Sequence, residues 1–161
     1  MRMSGSENRR ENMEAWRKCQ GLARIALQTP DRSKRNSILK QAFESAMETG
    51  EPNRIVTVSA WPLKVLCLNG ESKELKMEID RLLAIISKEP SPVRRLDALD
   101  YMLGAIISGP KEYFLKVFVH FKNACLEPLE GVRRNERGES ALATFIPIFG
   151  SHRSQIGFRV N

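Results

Sequence analysis

Residues 30–50 read PDRSKRNSILKQAFESAMETG, and this stretch decides the fold class. Its apolar residues recur with the spacing of one helical face. They are Ile38, Leu39, Ala42, Phe43, Ala46 and Met47. Pro30 suits the first turn of a helix, because its missing N–H would be unpaired there. Gly50 can end the helix in the left-handed conformation without a steric penalty. The stretch therefore predicts one amphipathic helix.

Apolar stripes with the same spacing flank this stretch on both sides. Proline or glycine separates each stripe from the next, as at Pro90 and at Gly109. Residues 7–29, 71–88 and 92–126 are therefore predicted to form further helices, with a break at Gly109-Pro110. The inward-facing residues would be Met13, Trp16, Cys19, Ala23, Ala26, Leu75, Ile79, Leu82, Leu83, Ile86, Leu96, Leu99, Leu103, Ile106, Phe114, Val117, Phe118, Phe121 and Cys125.

The segment Ile55–Leu66 allows two interpretations. Ile55-Val56-Thr57-Val58 has the β-branched composition of a strand. The apolar residues of the segment also fit one helical face, and Asn69-Gly70 supplies a helix stop. A lone strand would have nothing to pair with between helices, so we expect a helix here, bent at Pro62.

The sequence thus predicts an all-α protein of about six amphipathic helices, arranged as stacked antiparallel helix pairs. Residues 7–126 are expected to form the helical domain. The apolar periodicity is lost after Glu127. Residues 127–161 are therefore expected to form an irregular C-terminal segment that packs on the helical domain or extends from it.

One break between helices carries a family resemblance. The residues Glu89-Pro90-Ser91-Pro92-Val93-Arg94-Arg95-Leu96-Asp97-Ala98-Leu99 resemble the turn between the two helices of a HEAT repeat. The resemblance implies a HEAT-like α-solenoid, which offers an extended binding surface rather than a catalytic site. The proline starts at Pro30, Pro52 and Pro90 are 22 and 38 residues apart. They define no strict period, so an irregular helical bundle is the alternative.

The composition is that of a globular domain, with 42% hydrophobic and 28% charged residues among 161. The first residues are polar, and no apolar run reaches the length of a membrane span. We therefore expect a cytoplasmic protein without a membrane partner. Cys19, Cys67 and Cys125 lie far apart on predicted apolar faces, which indicates buried thiols rather than metal ligands.

The chain contains no sequence motif of a phosphate-binding loop, a zinc protease or a serine hydrolase. His120 and Cys125 could act as base and nucleophile if they faced each other. A separation of five residues on a helix turns their side chains about 140° apart, which is poor geometry for a hydrogen bond. We expect no enzymatic activity and no cofactor.

Two basic clusters could contact an anion, which the formal charge of +7 would help to attract. The first comprises Arg32, Lys34 and Arg35 at the start of a helix, where positive charge opposes the helix dipole. The second lies in the C-terminal segment, and arginine suits phosphate through bidentate hydrogen bonds. It comprises Arg133, Arg134, Arg137, Arg153 and Arg159.

The last predicted helix is rich in aromatic residues that do not all fit one face, namely Tyr113, Phe114, Phe118 and Phe121. Core packing explains most of them, and any exposed ring would mark a protein interface or a homodimer. The leading hypothesis is a non-catalytic protein-interaction module or scaffold that holds a protein partner or its own copy. The alternative is a nucleic-acid-binding helical domain whose basic residues contact the phosphate backbone.

Overall fold

The computed structural model describes the backbone of residues 5–127 and the side chains of residues 10–127. Six helices follow one another in this part of the chain, with no strand among them, and the all-α prediction is confirmed. They are α1 (Gly5–Gln28), α2 (Arg32–Met47), α3 (Pro52–Leu68), α4 (Ser72–Ile86), α5 (Pro92–Ile106) and α6 (Lys111–Leu126). Within the described residues, these six helices form one compact unit. The irregular segment predicted after Glu127 lies outside the described residues.

α3 decides between the two interpretations of Ile55–Leu66 in favour of a helix. The β-branched residues Ile55, Val56 and Val58 are buried on it. Strand preference spans only about 1 kcal/mol and depends on context, so packing among helices overrides it. Pro62 lies inside α3, which continues from Pro52 to Leu68.

α3 is also the central element of the described fold, because it packs against α1, α2, α4 and α5. Consecutive helices pair as α1 with α2, α3 with α4, and α5 with α6. The first helices of these pairs also contact one another, α1 with α3 and α3 with α5. The side chains of Val56 and Leu63 on α3 are completely buried as a result.

The second helices of the three pairs begin at regular intervals. Their first residues are Arg32, Ser72 and Lys111, so successive starts are 40 and 39 residues apart. The proline starts do not show this spacing, because Pro30 precedes a second helix whereas Pro52 opens a first helix. The HEAT-like resemblance itself stays a prediction.

Capping residues fix two of the helix starts. The Asp31 carboxylate accepts a hydrogen bond from the backbone N–H of Lys34 at 2.7 Å. The Ser91 hydroxyl accepts one from the N–H of Arg94 at 3.4 Å. Each bond satisfies an N–H that the first helical turn leaves unpaired. Gly50, after α2, has a φ of 76°, which glycine adopts readily.

Three residues of the predicted apolar stripes are exposed. Met13 and Trp16 on α1 and Met47 on α2 are 50%, 47% and 41% exposed, so their inward assignment was wrong. The buried side of α1 is narrower than the predicted stripe and consists of smaller residues. They are Ala15, Cys19, Ala23 and Ala26. Small side chains let neighbouring helices approach closely, which leaves the larger ones at the rim of the contact.

The described cysteines are free thiols, of which Cys19 and Cys67 are buried and Cys125 is partly buried. Burial raises the pKa of Cys19 to about 12. The Cys19 thiol therefore stays protonated, and it donates to the carbonyl oxygen of Val58 at 3.6 Å. A protonated thiol is a poor nucleophile, so Cys19 acts as a packing residue.

Replacing Gly109 or Gly104 by alanine is expected to change the free energy of unfolding in opposite directions. A Cβ on Gly109 would lie 2.7 Å from Cys67 Sγ, whereas nothing lies within 4 Å of a Cβ on Gly104. We expect Gly109→Ala to lower the free energy of unfolding by about 1–3 kcal/mol through overpacking. Gly104→Ala in α5 should raise it by about 0.5–1 kcal/mol. Urea denaturation of the two variants measures both effects.

Cys67→Ala supplies the control for this prediction, because it removes the sulfur that a Cβ on Gly109 would meet. The double variant should lose less stability than the sum of the two single losses. Strict additivity would show that the Cys67 sulfur does not cause the strain.

Candidate binding surfaces

A buried ion pair joins the start of α2 to the start of α4. The Arg35 guanidinium lies 2.8 Å from the Glu71 carboxylate, and both side chains are almost entirely buried. Arg32 approaches the other oxygen of Glu71 at 2.7 Å. The hydrogen bond from Arg35 outweighs desolvation and holds the pKa of Glu71 below its ordinary value. Arg35 also donates to the carbonyl oxygens of Thr29 and Pro30, so it ties the α1–α2 turn to α4.

The first basic cluster thus has a partner inside the fold. Positive charge at the N-terminus of α2 is unfavourable by itself, and Glu71 compensates for it. Arg35 is buried, Arg32 is mostly exposed beside Glu71, and Lys34 is exposed. An anion contact by this cluster stays a prediction. The second cluster lies outside the described residues; it comprises Arg133, Arg134, Arg137, Arg153 and Arg159.

The aromatic residues of α6 pack mainly within the fold. Phe121 is completely buried and Phe114 nearly so. The ring centroid of Phe118 lies 6.2 and 6.3 Å from those of Phe114 and Phe121. The hydroxyl of Tyr113 donates to the carbonyl oxygen of Ser72 at 3.4 Å. Of the predicted interface residues, only Tyr113 and Phe118 are partly accessible to a partner.

A groove of about 310 Å³ lies between α2 and α4. Leu39, Phe43 and Leu66 line it, and all three are buried. On its rim, the Arg81 guanidinium lies 5.4 Å from the ring centroid of Phe43 and 2.6 Å from the Glu78 carboxylate. Because Arg81 already pairs with Glu78 and the apolar lining is buried, the groove offers a partner little new apolar contact.

Two contacts show how α1 and α3 lie beside each other. The Cys19 thiol donates to the carbonyl oxygen of Val58. Further along both helices, the Arg24 guanidinium lies 5.9 Å from the ring centroid of Trp61, a cation–π contact. Both contacts advance in the same direction along the two helices. α1 and α3 therefore run parallel, with the side of α1 between Cys19 and Arg24 turned towards α3.

Trp16 and Leu27 belong to that side of α1. At about 100° per residue, each lies about 60–80° around the helix from both Cys19 and Arg24, and between them. Trp16 and Leu27 are nevertheless 47% and 51% exposed. They therefore border the line where α1 meets α3 and remain accessible from outside.

α3 contributes two further apolar side chains, Trp61 and Leu68, which are 39% and 53% exposed. They are seven residues apart, so they point in nearly the same direction from α3. Trp61 contacts α1 through Arg24, and helical geometry places Trp16 on the same side of α1. Single exposed apolar residues are ordinary, but a group of large ones marks a binding surface. We call this surface the tryptophan face and define it by Trp16, Arg24, Leu27, Trp61 and Leu68.

The tryptophan face is cationic. No acidic residue occurs between Pro52 and Leu68 on α3, or between Ala15 and Gln28 on α1. The cations of these two segments are Arg17, Lys18, Arg24, Arg54 and Lys64. Two of them pair with carboxylates of the α2–α3 connection. Among the residues that the structure describes, no carboxylate pairs with Arg17, Arg24 or Lys64.

Within residues 5–127, no helix is long and apolar enough to cross a membrane. The same part of the chain contains no group of three or more His, Cys, Asp or Glu side chains that could hold a metal ion. No protein-family model, curated protein or solved structure matches this chain.

Sequence reasoning missed the tryptophan face because it assigned Trp16 to the buried stripe. One signal could have revealed the face. Arg10, Arg17 and Arg24 recur every seven residues. This spacing places three cations along one side of α1, which must be exposed. Leu27 and Trp16 lie about 60° and 80° around the helix from Arg24, so the exposed side of α1 extends towards them.

The buried ion pair predicts a pH-dependent effect of Arg35→Met. At pH 7 this variant should lose about 1–3 kcal/mol of unfolding free energy, because the buried Glu71 carboxylate keeps only the mostly exposed Arg32 as a partner. The folded-state pKa of Glu71 lies below its ordinary value of 4.5. The stabilisation is therefore complete above that pH and is lost as the pH falls through the folded-state pKa. Urea denaturation at pH 7 and pH 3 should show that the difference in unfolding free energy between the variant and the wild type is smaller at pH 3.

Lys116→Met is the matched control, because it breaks a pair with Asp80 in which both side chains are about half exposed. Exposed pairs contribute at most about 1 kcal/mol. Equal losses for the two variants at pH 7 would contradict a structural role for the buried pair.

The positive charge of the tryptophan face predicts that an anion and a cation quench the fluorescence of the two tryptophans to different extents. Iodide should quench it more strongly than caesium does, because Arg17, Arg24 and Lys64 attract the anion and repel the cation. The difference should shrink at 1 M salt, where the Debye length falls to about 3 Å. The variant Arg17→Gln/Arg24→Gln should also reduce the difference in quenching between iodide and caesium. Equal quenching of the wild type by the two ions would refute the cationic character of the tryptophan face.

Proposed function

We propose that this protein is a non-catalytic protein-interaction module that binds a partner protein through the tryptophan face. The observation that carries the proposal is the group of four large apolar side chains, each about half exposed on one surface: Trp16, Leu27, Trp61 and Leu68. Tryptophan and arginine are enriched among the residues that dominate binding energies. Here both residue types occur side by side, in the Arg24–Trp61 contact.

The helices beneath the tryptophan face support the same proposal. α1 and α3 satisfy their backbone hydrogen bonds internally, and they pack against each other and against α2. The apolar side chains are thus held at a fixed spacing before any partner arrives. A preorganised surface loses less conformational freedom on binding, which leaves more of the contact energy for affinity.

A nucleic-acid-binding domain is the second candidate. The row formed by Arg10, Arg17 and Arg24 and the formal charge of +7 favour it. Tryptophan rings could also stack on bases. Leu27 and Leu68 would find less apolar surface in such a complex, however, because charged phosphates dominate the outside of a nucleic acid. The protein partner therefore accounts for more of the surface.

Quantitative capture experiments test the proposed function. Tagged full-length protein is incubated with nuclease-treated cell extract, and the retained proteins are compared between the wild type and Trp61→Ala. We expect at least one protein to be retained about thirtyfold less by the variant, since truncating a central aromatic contact removes about 2 kcal/mol. Mass spectrometry of the eluates measures the ratio.

Met77→Ala is the matched control, because Met77 is a large, exposed apolar residue on α4, away from the tryptophan face. It should retain the same proteins as the wild type. Circular dichroism and thermal unfolding establish that both variants are folded. The proposal fails if Trp61→Ala and the wild type retain the same proteins in the same amounts.

A further inference from the structure

We infer that the partner segment bound by the tryptophan face is an acidic amphipathic helix. This inference rests on the proposed function and specifies the chemistry of the partner. It follows from three properties of the face, which are its charge, its length and its lack of a sheet edge.

The charge of the tryptophan face selects an acidic partner. Arg17, Arg24 and Lys64 surround the apolar side chains without a described carboxylate to neutralise them. On α1, the carboxylate closest to the tryptophan face is that of Glu14. It lies about 60° beyond Arg17 around the helix, on the side that points away from α3. Complementary charge accelerates association and excludes basic partners, because like charges brought together cost several kcal/mol.

The length of the face matches a short helix. Trp16 and Leu27 are separated by about 16 Å along α1, at 1.5 Å per residue, which is three helical turns. A partner helix with apolar residues three and four positions apart presents one apolar stripe of that length. Its flanking glutamate or aspartate residues would then lie over Arg17, Arg24 and Lys64.

A helical partner also forms its backbone hydrogen bonds within itself. A peptide that binds as an added β-strand gains its affinity from main-chain hydrogen bonds to a sheet edge. Residues 5–127 contain no strand, so an extended peptide would leave its N–H and C=O groups without partners on this surface. A helix needs no such edge and contacts the face through side chains alone.

The same observations disfavour other occupants. A second copy of this chain would bring two cationic faces together, which is repulsive. A lipid surface would bury apolar side chains several ångströms deep, whereas Trp16 and Trp61 are only 47% and 39% exposed. A nucleic acid would satisfy the arginines but offer Leu27 and Leu68 less apolar surface.

Peptide titrations of the full-length protein test the inference, with the tryptophan fluorescence as the signal. The first probe is a synthetic helical peptide of about 15 residues, or four turns, with leucine on one face and glutamate on the flanks. The second probe has lysine in place of each glutamate, and the third has alanine in place of each leucine. We expect the first to bind about tenfold or more tightly than either of the others, because only it matches both charge and apolar surface.

The variant Arg17→Glu/Arg24→Glu provides the sharpest comparison, because it should gain a property rather than lose one. It is expected to bind the lysine peptide more tightly than the glutamate peptide. An unfolded variant cannot produce such a reversal. An unchanged preference for the glutamate peptide in the variant would overturn the inference.

Two further probes represent the competing occupants, a single-stranded oligonucleotide and vesicles of phosphatidylserine and phosphatidylcholine. Tighter binding of either probe than of the glutamate peptide overturns the inference. Equal binding of the glutamate and lysine peptides does so too, but it leaves the proposed function intact if Trp61→Ala still loses a captured protein. If Trp61→Ala captures the same proteins as the wild type, the proposed function itself fails, whatever the peptides do.

Discussion

The enclosure of α3 is the constraint on which the rest of the described structure depends. A helix packed against four neighbours must be apolar on most of its circumference, and α3 meets this requirement with β-branched and aliphatic residues. The same residues would suit a strand, but a helix satisfies its backbone hydrogen bonds internally while its side chains fill the core. Ser59 is completely buried there as well, which shows how little of α3 remains for solvent.

The narrow part of α3 that stays exposed explains where the tryptophan face lies. α1 approaches α3 through small residues, so the larger Trp16 and Leu27 cannot fit into the contact and lie beside it. Trp61 and Leu68 occupy the matching edge of α3. A surface of this kind arises from close helix packing, because the side chains that are too large for the interface collect along its border.

The structure uses its arginines in two different ways. Arg35 is buried against Glu71 and links the first helix pair to the second, so its charge is satisfied inside the protein. Arg24 instead lies over the exposed ring of Trp61 and remains available to an anionic group from outside. A buried pair contributes through the penalty for breaking it, whereas an exposed cation contributes to the choice and the rate of association of a partner. The formal charge of the chain therefore does not indicate which arginines are available to an anionic partner, because some of them are neutralised inside the protein.

The sequence by itself determined the all-α class and the positions of the helices, because periodicity and caps such as Ser91 are local properties of the chain. It also indicated that Ile55–Leu66 is a helix, by the helical spacing of its apolar residues, the Asn69-Gly70 stop and the absence of a strand to pair with. Sequence did not determine which arginines are neutralised or that Trp16 is exposed. Glu71 lies 36 residues from Arg35, and Trp61 lies 37 residues from Arg24. Only the tertiary structure decided these pairings, because the width of a helix's buried side depends on how closely its neighbours approach.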